Sequence, residues 1–279
     1  MTCVYKELFY PQVAVILLPH LILGFFAAKS NNIFLLGYSI FVLLLADFAS
    51  NVLNNYADWE IDEANKKREE LHKRLSKRGI FVLFILMSAA LSALLVLSNL
   101  YFAFSLMSGF IVGVLYSLGP KLKERFLVNN ITIGFTYGFV SYSCGFFVDN
   151  TNLGDFFRSI WIPLYCMILI VILSIVKDYE DEIGDREHNV KTFVTLFGKQ
   201  KTIRFQFFSL TALVLTVIAL NLIYRNYFIL FSLVPYLLFL KLIDALKKSE
   251  SPQEYKRIHT KTRCVNVLFI LVLLPYVLS

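Results

Sequence analysis

Two acidic runs about 120 positions apart hold residue types and spacings that could do chemistry. The first reads Asn51-Val-Leu-Asn54-Asn55-Tyr-Ala-Asp58-Trp-Glu-Ile-Asp62, and the second Asp178-Tyr-Glu-Asp181-Glu-Ile-Gly-Asp185. On a helix, at 100° per residue, Asn54, Asp58 and Asp62 fall within about 80° of one another, and Asp178, Asp181 and Asp185 within roughly 60°. Carboxylates stacked on one face repel, and at a helix C-terminus they also oppose the macrodipole. A cation belongs there. Oxygen-only donors suit Mg²⁺, which keeps several waters and bridges carboxylates to phosphates. A solvated, charge-mixed helix end explains one such cluster as well as a metal site does; two clusters in register favour the metal site. Asp47 and Asn51 continue the first stripe deeper, where a role in a substrate cavity and a buried structural hydrogen bond are both open.

These clusters must be positioned by membrane helices. The 279 residues are 57% hydrophobic and only 17% charged, against about a quarter charged in soluble domains. Disorder is excluded by the hydrophobicity, and a disulfide scaffold by four unpaired-looking cysteines, Cys3, Cys144, Cys166 and Cys264. Nine apolar runs are candidate spans, near 10–29, 34–57, 79–97, 100–118, 128–148, 159–177, 205–223, 227–245 and 263–278, the last of them short and the third and fourth separated only by Ser98-Asn99. The first is too long for a signal-peptide core and lacks a small-residue cleavage site. With this count, 24 of the 27 basic residues lie on one side, leaving Lys29, Arg158 and Arg225 on the other. The positive-inside rule then puts the N-terminus in the cytoplasm, the C-terminus outside, and both acidic clusters at cytoplasmic helix ends. The expected architecture is an all-α polytopic membrane protein, residues 1–279 forming a single domain of nine transmembrane helices in one bundle. Cytoplasmic loops would cover a central cavity, and the host would be the cell membrane. The net charge of +7 is explained by a basic face near anionic headgroups, so no nucleic-acid partner is expected.

Asn54-x-x-x-Asp58-x-x-x-Asp62 and Lys177-Asp178-Tyr-Glu-Asp181-Glu-Ile-Gly184-Asp185-Arg186 resemble the two signatures of the UbiA-type intramembrane prenyltransferases. Lys191-Thr192 through Phe197-Gly198 is similar to the tail of the second signature, and Tyr116-Ser117 before Lys121 and Lys123 to the loop after span 4. The resemblance covers the full chain and implies a Mg²⁺-dependent transfer of a polyprenyl group. Asn54, Asp58, Asp62, Asp178, Asp181 and Asp185 would hold metal and diphosphate, the five aspartates being the metal ligands. Lys123, Arg74 and Lys121 would contact phosphate oxygens. Leaving-group stabilisation would release an allylic cation for capture by an acceptor. The aromatic bundle would tolerate that cation and exclude water. Three departures are visible. Tyr10-Pro11 stands where the family carries Arg-Pro. The basic motif after Asp62 arrives late, as Arg74-Leu75-Ser76-Lys77-Arg78-Gly79, so Lys73 or Lys77 could replace Arg74. Asn55 stands where many quinone-pathway members have Asp.

The favoured partners are a polyprenyl diphosphate donor, membrane lipids and a lipophilic acceptor, taken as an aromatic quinone precursor. A glycerol-phosphate ether acceptor and terpene cyclisation are the alternatives within the family. A cation- or proton-coupled transporter using Asp47, Asp58 and Asp178 is the rival outside it, but Pro163 and Pro235 do not form the paired helix breaks of that class. Tyr137 and Tyr142, on the polar side of span 5, are candidate cavity residues with Asp47 and Asn51. His20 is expected to make a helix-backbone contact. His72, His188 and His259 have no partners at zinc-ligand spacing. Gly109-x-x-x-Gly113 and Gly134-x-x-x-Gly138 are read as close-packing motifs.

Overall fold

The computed structural model describes residues 2–64, 68–187, 190–223 and 231–278. Lys66, Lys67, His188, Arg225 and the 227–230 start of the eighth expected span lie outside the described residues. Among those described, every regular element is a helix: α1 (Thr2–Phe9), α2 (Ala14–Ala27), α3 (Ile33–Ala57), α4 (Trp59–Ala64), α5 (Glu69–Arg74), α6 (Lys77–Val96), α7 (Leu100–Ser117), α8 (Val128–Gly134), a π-helical turn (Phe135–Val140), α9 (Ser141–Phe147), α10 (Leu153–Arg158), α11 (Trp161–Ser174), α12 (Val176–Glu187), α13 (Phe193–Ile223), α14 (Leu233–Lys248) and α15 (Pro252–Leu278).

The helix starts follow from capping chemistry. Asn32 Oδ1 accepts the amides of Phe34 and Leu35 at 3.1 and 3.3 Å, and Asn99 Oδ1 accepts that of Phe102 at 3.0 Å. Ser76 caps α6 through the Gly79 amide at 3.1 Å. These side chains take up donors that a helix leaves unbonded in its first turn. The Ser98-Asn99 break between the third and fourth expected spans is therefore a real helix boundary.

Nine spans are not all equally evident. Among the described residues, five helices are long and apolar enough to cross a membrane: α3, α6, α7, α13 up to Ala219, and α15. The pair α11 and α12, bent by 46°, makes a sixth. The other three expected spans are shorter or interrupted. Span 1 is the 14-residue α2 behind a short 3₁₀ turn at Pro11–Val13, span 5 is divided by the π-helical turn, and the described part of span 8 holds α14 from Leu233. α15 starts well before the expected residue 263 and carries a polar first third.

The most intimate helix pair is α2 with α9. A Cβ on Gly24 would lie 2.0 Å from the Tyr142 carbonyl oxygen, and one on Gly145 would lie 1.9 Å from that of Leu21. Two backbones thus touch through reciprocal glycines, as in membrane bundles where small residues permit close approach. Gly134 and Gly138 do the same against Met167 and Cys166 on α11, so that motif packs as expected. Outward faces of α6 and α7, with Ile85, Leu86, Phe104 and Ile111, are exposed and apolar, which suits lipid contact. A smaller apolar cluster of Leu8, Val52, Leu71 and Ile80 seats α1 against α3, α5 and α6.

Candidate functional site

The end of α3 presents the first acidic face intact. The backbone bonds Asp58 N–H to Asn54 O (3.0 Å) and Asp62 N–H to Asp58 O (2.8 Å) carry the four-residue ladder across the junction into α4. Asn54, Asp58 and Asp62 therefore stay on successive turns of nearly one face.

Lys123 is brought to this face by a tight loop. Gly119, Lys121 and Leu127 all adopt positive φ, at 65°, 44° and 63°, and a 3₁₀ turn over Leu122–Glu124 lies between the last two. Positive φ is sterically costly for non-glycine residues, so this loop is shaped by what it presents. Lys123 Nζ donates to Asn54 Oδ1 at 3.2 Å and pairs with Asp58. Ser117 Oγ donates to the same Asn54 oxygen at 3.2 Å.

A second cation comes from a loop residue to which the motif spacing assigns no role. Arg68, at φ 55°, pairs with Asp62 and donates from Nε to the Tyr10 hydroxyl at 2.6 Å. Its guanidinium also lies 5.3 Å from the centre of the Tyr10 ring. Tyr10, the departure from Arg-Pro, thus holds an arginine delivered from elsewhere in the chain. Its signal was absent from sequence spacing because it depends on a left-handed turn in a loop.

The second acidic face lies on α12, beyond the bend. Asp178 is buried, accepts from the backbone N–H of Phe193, and has a buried Oδ2 with no hydrogen-bond partner. Lys177 Nζ stands 3.6 Å from Asp181 and within electrostatic reach of Asp178, Asp185 and Tyr116. Tyr116 joins the two faces, having Lys177, Asp58, Asp178 and Asp181 as electrostatic neighbours. Tyr10 likewise senses Asp62, Arg68 and Lys177. The two clusters are therefore drawn into one neighbourhood across α3, α7 and α12.

The remaining predicted residues divide. Asn51 Nδ2 donates to Asp47 at 3.1 Å and to the Phe9 carbonyl at 3.2 Å, which is the structural hydrogen bond. Asp47 is still an electrostatic neighbour of Tyr137, along with Tyr116 and Arg263, and Tyr137 sits in the π-helical turn, a distortion common at functional sites. Tyr142 is not brought to the aspartates. It is buried against Phe146 and Phe156, with a 3.5 Å contact to Ser159 in the turn between α10 and α11, at the opposite end of α11 from the bend into α12. Arg74 is exposed on α5, 3.8 Å from Glu70, where Lys73 also pairs, and Lys121 pairs with Glu124 at 3.4 Å. Neither touches an aspartate of the two faces. His20 makes its expected backbone contact, to Ile16 O at 2.6 Å.

Among the described residues no three His, Cys, Asp or Glu side chains already converge to chelate one ion. Mg²⁺ is commonly held through one or two carboxylates together with substrate phosphates. The donor set is all oxygen, and the unpartnered Asp178 oxygen is available to it. An aromatic groove of about 430 Å³ opens next to Phe193, lined by Phe126, Leu127, Phe193, Phe197, Lys201, Thr202 and Phe205.

The profile of the UbiA prenyltransferase family matches residues 16–270. The chain is 32% identical over 161 residues to the digeranylgeranylglyceryl phosphate synthase of Methanothermobacter thermautotrophicus, covering 56% of this chain and 54% of that protein, about half its length. It is 30% identical over 228 residues to the synthase of the same name from Saccharolobus solfataricus, covering 80% and 76%. Its fold superposes on a solved digeranylgeranylglyceryl phosphate synthase with a TM-score of 0.71 at 19% identity, covering 100% of this chain and 99% of the other. A UbiA homologue from Archaeoglobus fulgidus, solved with GPP and Mg²⁺, superposes with a TM-score of 0.73 at 17% identity, covering 99% of each chain.

Proposed function

The chain belongs to the UbiA prenyltransferase family, and from that premise we propose that it transfers a polyprenyl group from its diphosphate to a glycerol-phosphate ether lipid. The quinone precursor favoured by sequence reading gives way here, because the curated relatives are named for digeranylgeranylglyceryl phosphate synthesis. What carries the reading within this molecule is the Lys123 clamp on Asn54 and Asp58, sharing Tyr116 as a neighbour with buried Asp178. That arrangement suits an anionic headgroup spanning both acidic faces.

Each residue then has a physical task. Asp58, Asp62, Asp178, Asp181 and Asp185, with Asn54, would hold Mg²⁺ and orient the diphosphate. When bound, the metal neutralises diphosphate oxygens and stabilises the leaving group. Lys123 and Arg68 are the cations best placed to donate to phosphate oxygens, in preference to Arg74 and Lys121. Charge-assisted contacts of this kind strengthen as charge builds on the departing oxygen. Tyr116 and Tyr137 border the same interior, where aromatic faces stabilise a passing allylic cation. The apolar helices around them keep water from capturing it. We read the shorter segments as completing nine spans of a single domain.

The test is product formation by the purified protein in nanodiscs with geranylgeranyl diphosphate and Mg²⁺. Geranylgeranylglyceryl phosphate should support diphosphate release and yield the doubly prenylated ether. Release that requires 4-hydroxybenzoate or dihydroxynaphthoate instead would overturn the acceptor assignment, and release with a hydrocarbon product and no acceptor would mark a cyclase.

A further inference from the structure

The stretch of α15 from His259 to Asn266 carries a polar stripe that the diphosphate chemistry does not use. His259, Arg263 and Asn266, spaced by four and three residues, lie on one side of the helix. His259 Nδ1 is engaged by Glu180 of α12 at 3.1 Å. Arg263 is part-buried, and its buried Nε makes no hydrogen bond. Asn266 is 3% exposed, yet neither its amide oxygen nor its amide nitrogen has a partner. Buried polar groups are normally bonded, and leaving them empty costs free energy. This pair of residues is built to meet something.

Its position says where that something sits. Arg263 has Tyr137 and Glu180 as electrostatic neighbours, and Tyr137 has Asp47 and Tyr116. Tyr116 in turn neighbours Asp58 and Asp178. The stripe thus lies on the helix that packs along α12, the bearer of the second acidic face, where His259 meets Glu180. Lys123 and Arg68 are already committed to the acidic faces. A second anion entering near them would be repelled by the first unless it had its own cation.

We propose that Arg263 and Asn266 bind the phosphate monoester of the acceptor, apart from the donor diphosphate. The guanidinium offers a planar fork that matches phosphate oxygens two at a time, and the Asn266 amide adds a donor alongside it. This inference rests on the glycerol-phosphate ether reading, and it names the residues that would select such an acceptor.

Equilibrium binding of radiolabelled geranylgeranylglyceryl phosphate to the full-length protein in nanodiscs, without donor, tests it directly. Arg263→Gln should weaken that binding about 10- to 100-fold while leaving the KM for geranylgeranyl diphosphate unchanged. Arg263→Lys should recover part of the loss, and the dephosphorylated ether alcohol should bind wild type and Arg263→Gln alike. Asn266→Ala, with thermal unfolding measured beside it, serves if Arg263→Gln does not fold. Unchanged acceptor affinity in folded variants would overturn the inference, as would a parallel loss of donor affinity, or failure of the wild type to bind the phosphate ether. The two readings separate cleanly. Transfer to the phosphate ether that is indifferent to Arg263 keeps the function and removes the subsite. Arg263-dependent binding without transfer keeps the subsite and removes the proposed acceptor.

Discussion

Replacing Lys123 with alanine would take a shared donor from Asn54 and Asp58 at once. The expected result is a rise of about tenfold or more in the KM for prenyl diphosphate, read from steady-state kinetics, with thermal stability little changed. Asp58→Asn and Asp178→Asn should each lower Mg²⁺-dependent turnover by roughly 100-fold or more, and full activity in both would remove the two-face mechanism. Arg68→Ala should resemble Lys123→Ala, whereas Arg74→Ala should leave the donor KM within about twofold, because Arg74 faces Glu70 and solvent. The aspartates were legible in the sequence because four-residue spacing on a helix is a local property. Arg68 was not, since its approach to Asp62 and Tyr10 requires a left-handed residue that no spacing announces. Arg263 and Asn266 left a weaker signal, an Arg and an Asn three positions apart at the start of an apolar run, which reads as a helix end until α15 is seen to begin at Pro252.

The reciprocal approach of Gly24 and Gly145 makes α2 and α9 the least forgiving pair of elements. Gly145→Val would drive a branched side chain into the Leu21 carbonyl. We expect a loss of about 1–3 kcal/mol or more, measured as a lower unfolding midpoint in detergent, with an equivalent substitution at Gly37, where nothing lies nearby, serving as the tolerant comparison. Long apolar helices such as α3, α6 and α7 were legible end to end, because a bilayer demands both length and uniform hydropathy. The π-helical turn, the 46° bend before α12 and the shortness of α2 were not. Each depends on what neighbouring helices supply to a backbone that leaves the regular ladder.

At the scale of the molecule, the uneven distribution of basic residues leads us to expect a cytoplasmic N-terminus and an outside C-terminus. Protease protection of small epitopes fused at each end, in intact cells, checks this; both ends on one side would exclude an odd number of spans. The packing of the finished bundle also bears on how it is made. α2 leaves the ribosome well before its glycine partner on α9, which follows about 120 residues later. At roughly 5–20 residues per second, that is a wait on the order of ten seconds. α15, which also packs along α2, follows later still. A helix of 14 residues must therefore stay lodged at the insertion machinery, or in lipid, until the chain around it has been synthesised. Substitutions that shorten α2 or make it more polar should accordingly lower the yield of inserted protein more than they lower the stability of the molecules that do complete assembly.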